Sequence, residues 1–401
     1  MLSENTIDNL VQPIVTRQES INTYVLTKIA TSVREIGEIS PSEVNRMKLL
    51  VAMGTDIREM NKELARLSNV QVREIKSLIK TVAIKTNLDA KPLYDYRHKS
   101  FIPYEKNKKL QSFVKIVGDR TAGTYENISN SKATGFLIRD LKHPGLLKFQ
   151  PINDTYRSVI DEAIQATQSG IDYRTAMRKT LKQLADSGIR RLSWDSGYTQ
   201  RLDTAVRRNI LEGVRAIQQA TEDAIGEEIG ADGKELSVHI NCAPDHEPFQ
   251  GHQMTNENWE KLQNSENFED VEGQKFTGVE RVIGMWNCRH IARSIIIGVT
   301  QPLYTKEKLQ QFIKDNHDGY VLPNGKQITL YECTQMQRQM ETKIRYAKDE
   351  QIAYRESGDI NSAKIAQQKV KHLTQEYTKF SKACKLPIHK DRAAVPGYKL
   401  I

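Results

Sequence analysis

Apolar residues recur along much of this chain at the spacing of an α-helix. Ser40, Pro41 and Glu43 read as an N-cap, a first-turn proline and a capping-box acid. After them Val44, Met47, Leu50, Ile57, Met60, Leu64 and Leu67 fall on one stripe. Ser68–Gln71 reads as a second cap, opening a helix whose inner face is Val72, Ile75, Ile79 and Val82. A long amphipathic pair of this kind must bury its stripe on the body of the protein or on another subunit. Residues 88–150 lose the period: Tyr94, Tyr96, Phe101 and Tyr104 stand among Lys, Arg, Pro and Gly. That texture predicts an irregular segment, either clamped onto a domain or stacking nucleic-acid bases. The helical period then returns at Tyr156, Val159, Ile160, Ala163 and Ile164, with Gly170 as its stop. Asp172 opens another helix that ends at Gly188. Short extended stretches flank an Asp195-Ser196-Gly197 turn, and Leu202, Val206, Ile210, Val214, Ile217, Ala224 and Ile225 mark a long helix ending near Gly230.

The period shifts at residue 234. "KELSVHI" at Lys234–Ile240 alternates as a half-buried strand does, and "GVERVIGMW" and "ARSIIIGV" also read as strands. Thr305 caps a helix over "TKEKLQQFIKDN", and Asn324-Gly325 supplies the positive-φ turn of a hairpin. In the tail, Met336, Met340, Ile344 and Ala347 form one stripe and Ala366, Val370, Leu373, Tyr377 and Phe380 another, around Ser357-Gly358. This is the pattern of an αα-hairpin. The expected fold is α+β, mainly α. It comprises a helical extension (1–87), a helical region with an irregular basic segment (88–231), a small α+β domain (232–330) and a basic helical hairpin with a tail (331–401).

Composition narrows the function classes. With 38% hydrophobic and 27% charged residues the chain can bury a sizeable core. Ile295–Val299 is among the most apolar runs and is broken by Gly298, far short of the roughly 18 residues a membrane span needs. The first ten residues lack a basic stretch followed by an apolar one, so no secretory signal is expected. Four scattered cysteines are too few for a disulfide scaffold and fit a reducing compartment. The net charge of +9 is concentrated: residues 91–120 carry eight Lys/Arg against three Asp/Glu, and residues 331–401 fourteen against eight. Blocks of this kind suit contact with polyanions or acidic protein surfaces, or form a solvated face. Arg201, Arg208 and Arg215, spaced by seven, are the candidate nucleic-acid residues on one helix face.

Chemistry concentrates in "HINCAPDHEPFQG" (His239–Gly251) and "WNCRH" (Trp286–His290). Thiolate and imidazole suit zinc, with His239, Cys242, His246, Cys288 and His290 as ligands. Alternatively His239, His246, Asn287 and His290, with Asp245, Glu247 and Arg289 nearby, activate water at a phosphodiester, or Cys288 serves as a thiol nucleophile. The third reading is a structural polar cluster. In it His239, His246, Gln250 and Gly251 brace the first loop, and Trp286, Asn287, Cys288, Arg289 and His290 the second. Bracing is the reading adopted, with no catalytic residue, metal or other cofactor assigned.

In this order the pieces resemble the phage minor capsid protein family of the second type, from about residue 90 onward. The carriers are "RLDTAVRRNILEGV" at Arg201–Val214, "ELSVHI", then His239, Pro244, His246, Gln250 and Gly251, then "WNCRH", then "YECTQMQRQMETKIR" at Tyr331–Arg345. Two positions depart from the family pattern. Cys242-Ala243-Pro244 stands where Ala-Arg-Pro is usual, and Phe249 where a tryptophan is common. The resemblance implies a non-enzymatic structural protein of a tailed phage or prophage head, made in the host cytoplasm and present in multiple copies. Its implied partners are portal and capsid proteins and the packaged double-stranded DNA, with no membrane. A virion-packaged nuclease or other hydrolase using the histidine cluster is the alternative.

Overall fold

The computed structural model describes the chain except residues 1, 3, 39–42, 131, 141–142, 144, 169–171, 194–196, 240–241 and 286–287, and the side chains of 4–5, 43–50 and 168. The expected Ser40 cap and Gly170 stop therefore lie outside the described residues. In chain order the elements are α1 (Glu4–Glu38), α2 (Glu43–Asp89), α3 (Lys91–Tyr96), α4 (Lys108–Ile128), β1 (Thr134–Arg139), β2 (Leu147–Pro151), α5 (Ile152–Gln168) and α6 (Tyr173–Ser187). Then come β3 (Arg190–Leu192), β4 (Thr199–Arg201), α7 (Leu202–Ile229), β5 (Gly233–Leu236), β6 (Gln253–Thr255), α8 (Asn256–Gln263), β7 (Phe268–Glu269) and β8 (Lys275–Phe276). The last are β9 (Ala292–Ile295), α9 (Lys306–Asp318), β10 (Tyr320–Val321), β11 (Gln327–Ile328), α10 (Leu330–Glu356) and α11 (Ile360–Ala383). The protein is mainly helical with small antiparallel sheets, as the sequence pattern predicts. No described helix is long and apolar enough to cross a membrane, and the four cysteines are free and buried.

Local chemistry sets many of the boundaries. Asp172 accepts from the Thr175 N–H at the start of α6, and Gly188 (φ 56°) ends it by donating to the Leu184 carbonyl. Thr305 caps α9 through the Lys308 N–H, and Asp359 caps α11 through the Ser362 N–H. Gly358 (φ 81°) and Gly325 (φ 82°) make the turns of the αα-hairpin and the β10–β11 hairpin, conformations that cost other residues strain.

Elsewhere the structure departs from the sequence pattern. Ser68 caps nothing, since α2 runs through it; Gln71 is buried and donates to the Ile14 carbonyl of α1. The 88–150 segment contains a full helix, α4, whose first turn is capped by Asn107 accepting from the Leu110 N–H. Its aromatics are largely taken up in packing: Tyr94 is buried edge-on against Phe101 with its hydroxyl on Glu228, and Lys80 lies 5.2 Å from the centre of the Tyr104 ring. Residues 278–285 of "GVERVIGMW" form irregular chain, bends and a turn rather than a strand, with Gly284 at φ 95°. β5 stops at Leu236, so His239 leaves the sheet.

The chain gathers into two compact units of interleaved segments. One comprises residues 12–73, 124–207 and 337–401. Here a sheet of order β2-β1-β3-β4 meets α5 and α6. The Tyr156 hydroxyl joins α1, α2 and α5 by bonding to Asp56 (2.6 Å) and Ser32 (2.8 Å). In the α10–α11 hairpin, Ile344, Ala347, Val370 and Tyr377 form the seam, closed by Ala393 of the tail.

This unit also holds a buried cluster of five ionisable side chains. Arg201, at the end of β4, pairs with Glu19 of α1 (2.9 Å) and Asp203 (3.0 Å), and Asp349 of α10 lies 3.9 Å away. Arg345 of α10 bonds Glu19 and Asp203 as well. Arg201 is 6% exposed, so it offers nothing to a phosphate backbone. The expected arginine face is corrected accordingly. Only Arg208 is exposed, while Arg215 pairs with Glu212 and its guanidinium lies against Gly284.

The second unit comprises residues 1–11, 74–123 and 208–336. Its three-stranded sheet, order β6-β5-β9, lies against α7. The Gln219 side chain of α7 takes the place of a neighbouring strand at the β9 edge: its oxygen accepts from the Ala292 N–H and its amide donates to the Ala292 carbonyl. Gly226 permits the approach, because a Cβ there would meet the Ser294 hydroxyl at 2.4 Å. Leu236, Phe249, Met254, Leu262, Phe268, Phe276 and Ile283 form an apolar core that also takes in Cys288.

Candidate functional site

Sheet register explains how two loops separated by some forty residues come together. β5 and β9 are antiparallel, with Leu236 opposite Ala292. The chain leaving β5 therefore runs beside the chain entering β9. Ser237 locks the junction, its N–H donating to the Ile291 carbonyl and its hydroxyl accepting from the Ile291 N–H. The Gly251 N–H returns to the Leu236 carbonyl, closing the first loop. Gly251 adopts φ 79°, and a Cβ there would meet Leu309 at 2.5 Å, so both conformation and space demand glycine.

Inside these loops His246, Cys288 and His290 converge. Their exposures are 1%, 5% and 3%. The Cys288 sulfur lies 3.7 Å from His246 Nδ1 and 3.6 Å from His290 Nδ1, and the three donor atoms are within 4.8 Å of one another. His246 Nε2 donates to the Arg281 carbonyl, and the Arg281 guanidinium is held by a two-pronged pair with Asp245 (2.7 and 2.6 Å). Gln250 Oε1 accepts from the His239 N–H (2.9 Å) and lies 3.4 Å from His290 Nε2. The His239 ring sits edge-on to His290, centroids 4.6 Å apart. Glu247 reaches away to α9, accepting from Asn316 Nδ2 and lying 2.8 Å from His317 Nε2.

The electrostatics follow from burial and contact. Burial and the nearby His239, His246 and Arg281 hold the His290 pKa far below its usual value, so its ring is neutral at neutral pH. Burial also disfavours charge on His246, but its contacts to Cys288 and the Arg281 carbonyl outweigh that and raise its pKa. Burial disfavours the Cys288 thiolate too, yet the contact with His246 lowers its pKa on balance. Cys242, which donates weakly to the Ala243 carbonyl, is pushed up to about 12 by burial and by Glu247 and Asp245, and stays a thiol.

Of the residues expected here, the structure brings His239, His246, Gln250, Gly251, Cys288 and His290 into one neighbourhood. Trp286 and Asn287 lie outside the described residues, and Arg289 is partly exposed. Cys242 is not among the converging donors; its N–H bonds the His239 carbonyl. The sequence reading missed Arg281, which works through its backbone carbonyl and therefore leaves no mark in the residue pattern.

No curated protein and no solved structure matches the chain. The family model for phage minor capsid protein 2 matches residues 2–382. That range takes in the N-terminal helices, which the resemblance read from the sequence left out. With nearly the whole length matched, the chain belongs to the phage minor capsid protein 2 family, whose name denotes a structural component of the phage particle.

Proposed function

We propose that this protein is a non-enzymatic structural component of a tailed-phage head. It associates with portal and capsid proteins and turns a basic helical surface toward packaged double-stranded DNA. Family membership over nearly the whole length carries the structural part of the reading. The nucleic-acid part is supported by a lysine stripe on α11. Lys364, Lys371 and Lys382 are all exposed, and their spacings of seven and eleven are close to two and three helical turns. They line one face over about 27 Å at 1.5 Å per residue. Glu376, the one acid within α11, lies on another flank. Burial of His246 and His290 speaks for bracing over turnover, since neither ring is accessible to a phosphodiester.

A salt titration of duplex DNA binding by the full chain tests the nucleic-acid part. Each lost phosphate contact lowers the slope of log affinity against log salt by about 0.9. The Lys364→Ala, Lys371→Ala, Lys382→Ala triple variant should thus lose about 2–3 from that slope and bind at least tenfold more weakly. An unchanged slope would remove the stripe from the account. Nicking of plasmid by the pure protein with divalent cations, abolished by His246→Ala in a folded variant, would overturn the non-enzymatic reading.

A further inference from the structure

We infer that Cys288, His246 and His290 form a binding site for a single Zn²⁺-class metal ion, held by the cysteine sulfur and the two Nδ1 nitrogens. The hydrogen bonds fix which nitrogen of each ring is available. The Arg281 carbonyl can only accept, so His246 Nε2 carries its proton and Nδ1 carries the lone pair in the neutral ring. Gln250 Oε1 is identified as the oxygen because it accepts the His239 N–H. His290 Nε2 must therefore be the donor to it, which leaves a lone pair on His290 Nδ1 as well. Both lone pairs face the same sulfur. A single S–H proton can serve only one of them, so a buried acceptor stays unsatisfied unless a cation sits among the three atoms.

The spacing fits. Zn–S and Zn–N bonds of about 2.3 and 2.05 Å at a tetrahedral angle put sulfur and nitrogen about 3.5 Å apart. The observed separations are 3.7 and 3.6 Å. The outer contacts are those that metal-bound imidazoles have, with the remote N–H of each ring on a carbonyl or amide oxygen. Soft sulfur with two imidazoles selects zinc over hard cations such as Mg²⁺ or Ca²⁺. Ligands from two separate loops and near-complete burial make the ion a clamp between loops, closed to substrate. The inference stands apart from any contact with DNA.

Elemental analysis of the full chain, expressed with zinc, should find about one equivalent. Cobalt substitution of the wild-type protein should give a thiolate-to-metal charge-transfer band. Cys288→Ser should abolish the band and His290→Ala should abolish or strongly reduce it, while Cys333→Ser, distant in sequence and not among the donors, should retain it. A measurement on the wild type needs no variant to fold: chelation should lower the unfolding temperature and expose Cys288 to alkylation before the other thiols. Absence of both zinc and a cobalt band in the wild type would overturn the inference. So would a band that survives Cys288→Ser, or chelation without effect on either readout.

Discussion

Replacing Arg201 by alanine is expected to destabilise the fold by about 3–5 kcal/mol, the range for removing one partner of a buried ion pair. Denaturant unfolding measures it. The guanidinium is 6% exposed and faces Glu19, Asp203 and Asp349. Without it, Arg345 alone faces the remaining carboxylates. A loss below about 1 kcal/mol, the range of a surface pair, would contradict the burial argument. The cluster also sets a pH dependence. Burial, opposed by Arg201 and assisted by Glu19, pushes the Asp349 pKa up to about 8, so the folded chain keeps a proton that the unfolded chain releases near 3.9. The stability contributed by this group is therefore full below about pH 4 and is lost as the pH rises toward 8. Glu19, also raised, acts in the same direction. Asp203, whose pKa the arginines lower against the effect of burial, contributes stability above about pH 4 and loses it as the pH falls further. Asp349→Asn, which keeps an oxygen to accept from Asn22, should flatten the slope between pH 4 and 8.

Phe249→Ala is expected to cost about 3–5 kcal/mol, the usual loss for truncating a buried aromatic. Phe249 is 1% exposed; its ring lies edge-on to Phe268 (centroids 5.4 Å apart) and Phe276 (6.2 Å) and tilted against His246 (5.7 Å). The cavity would open directly beneath the converging loops. Faster alkylation of Cys288 should therefore accompany the fall in unfolding free energy. An unfolding free energy within 1 kcal/mol of wild type, with Cys288 as protected as before, would show that the aromatic core does not support the loops.

What the sequence made legible was punctuation and period. Asp172, Gly188, Thr305, Asn324-Gly325 and Ser357-Gly358 act through their own backbone and its near neighbours, so their effects can be read locally. The stripes of α7, α10 and α11 repeat over many turns and leave little ambiguity. Ser68–Gln71 failed because tertiary packing overrode a local signal: Gln71 is consumed by a carbonyl of α1. α4 was missed because its buried stripe includes Thr121 and its first turn is Lys-rich, although Asn107 was a visible cap. Arg201 read as a surface residue because, apart from Asp203, its counter-charges come from positions 19 and 349, which no local window contains. The loop histidines were recognised as a group, but the tautomers that aim two nitrogens at Cys288 depend on a backbone carbonyl and on the orientation of Gln250.

Site-specific cross-linking in assembled heads tests the central claim most directly. A photoreactive residue placed at Lys371, in the middle of the α11 stripe, should cross-link to packaged DNA. The same probe at Ile365, exposed on another flank of α11, should not. DNA adducts confined to position 371 are the result expected of a structural head protein that meets the genome through this helix. Equal labelling at both positions, or a protein absent from purified heads, would contradict it.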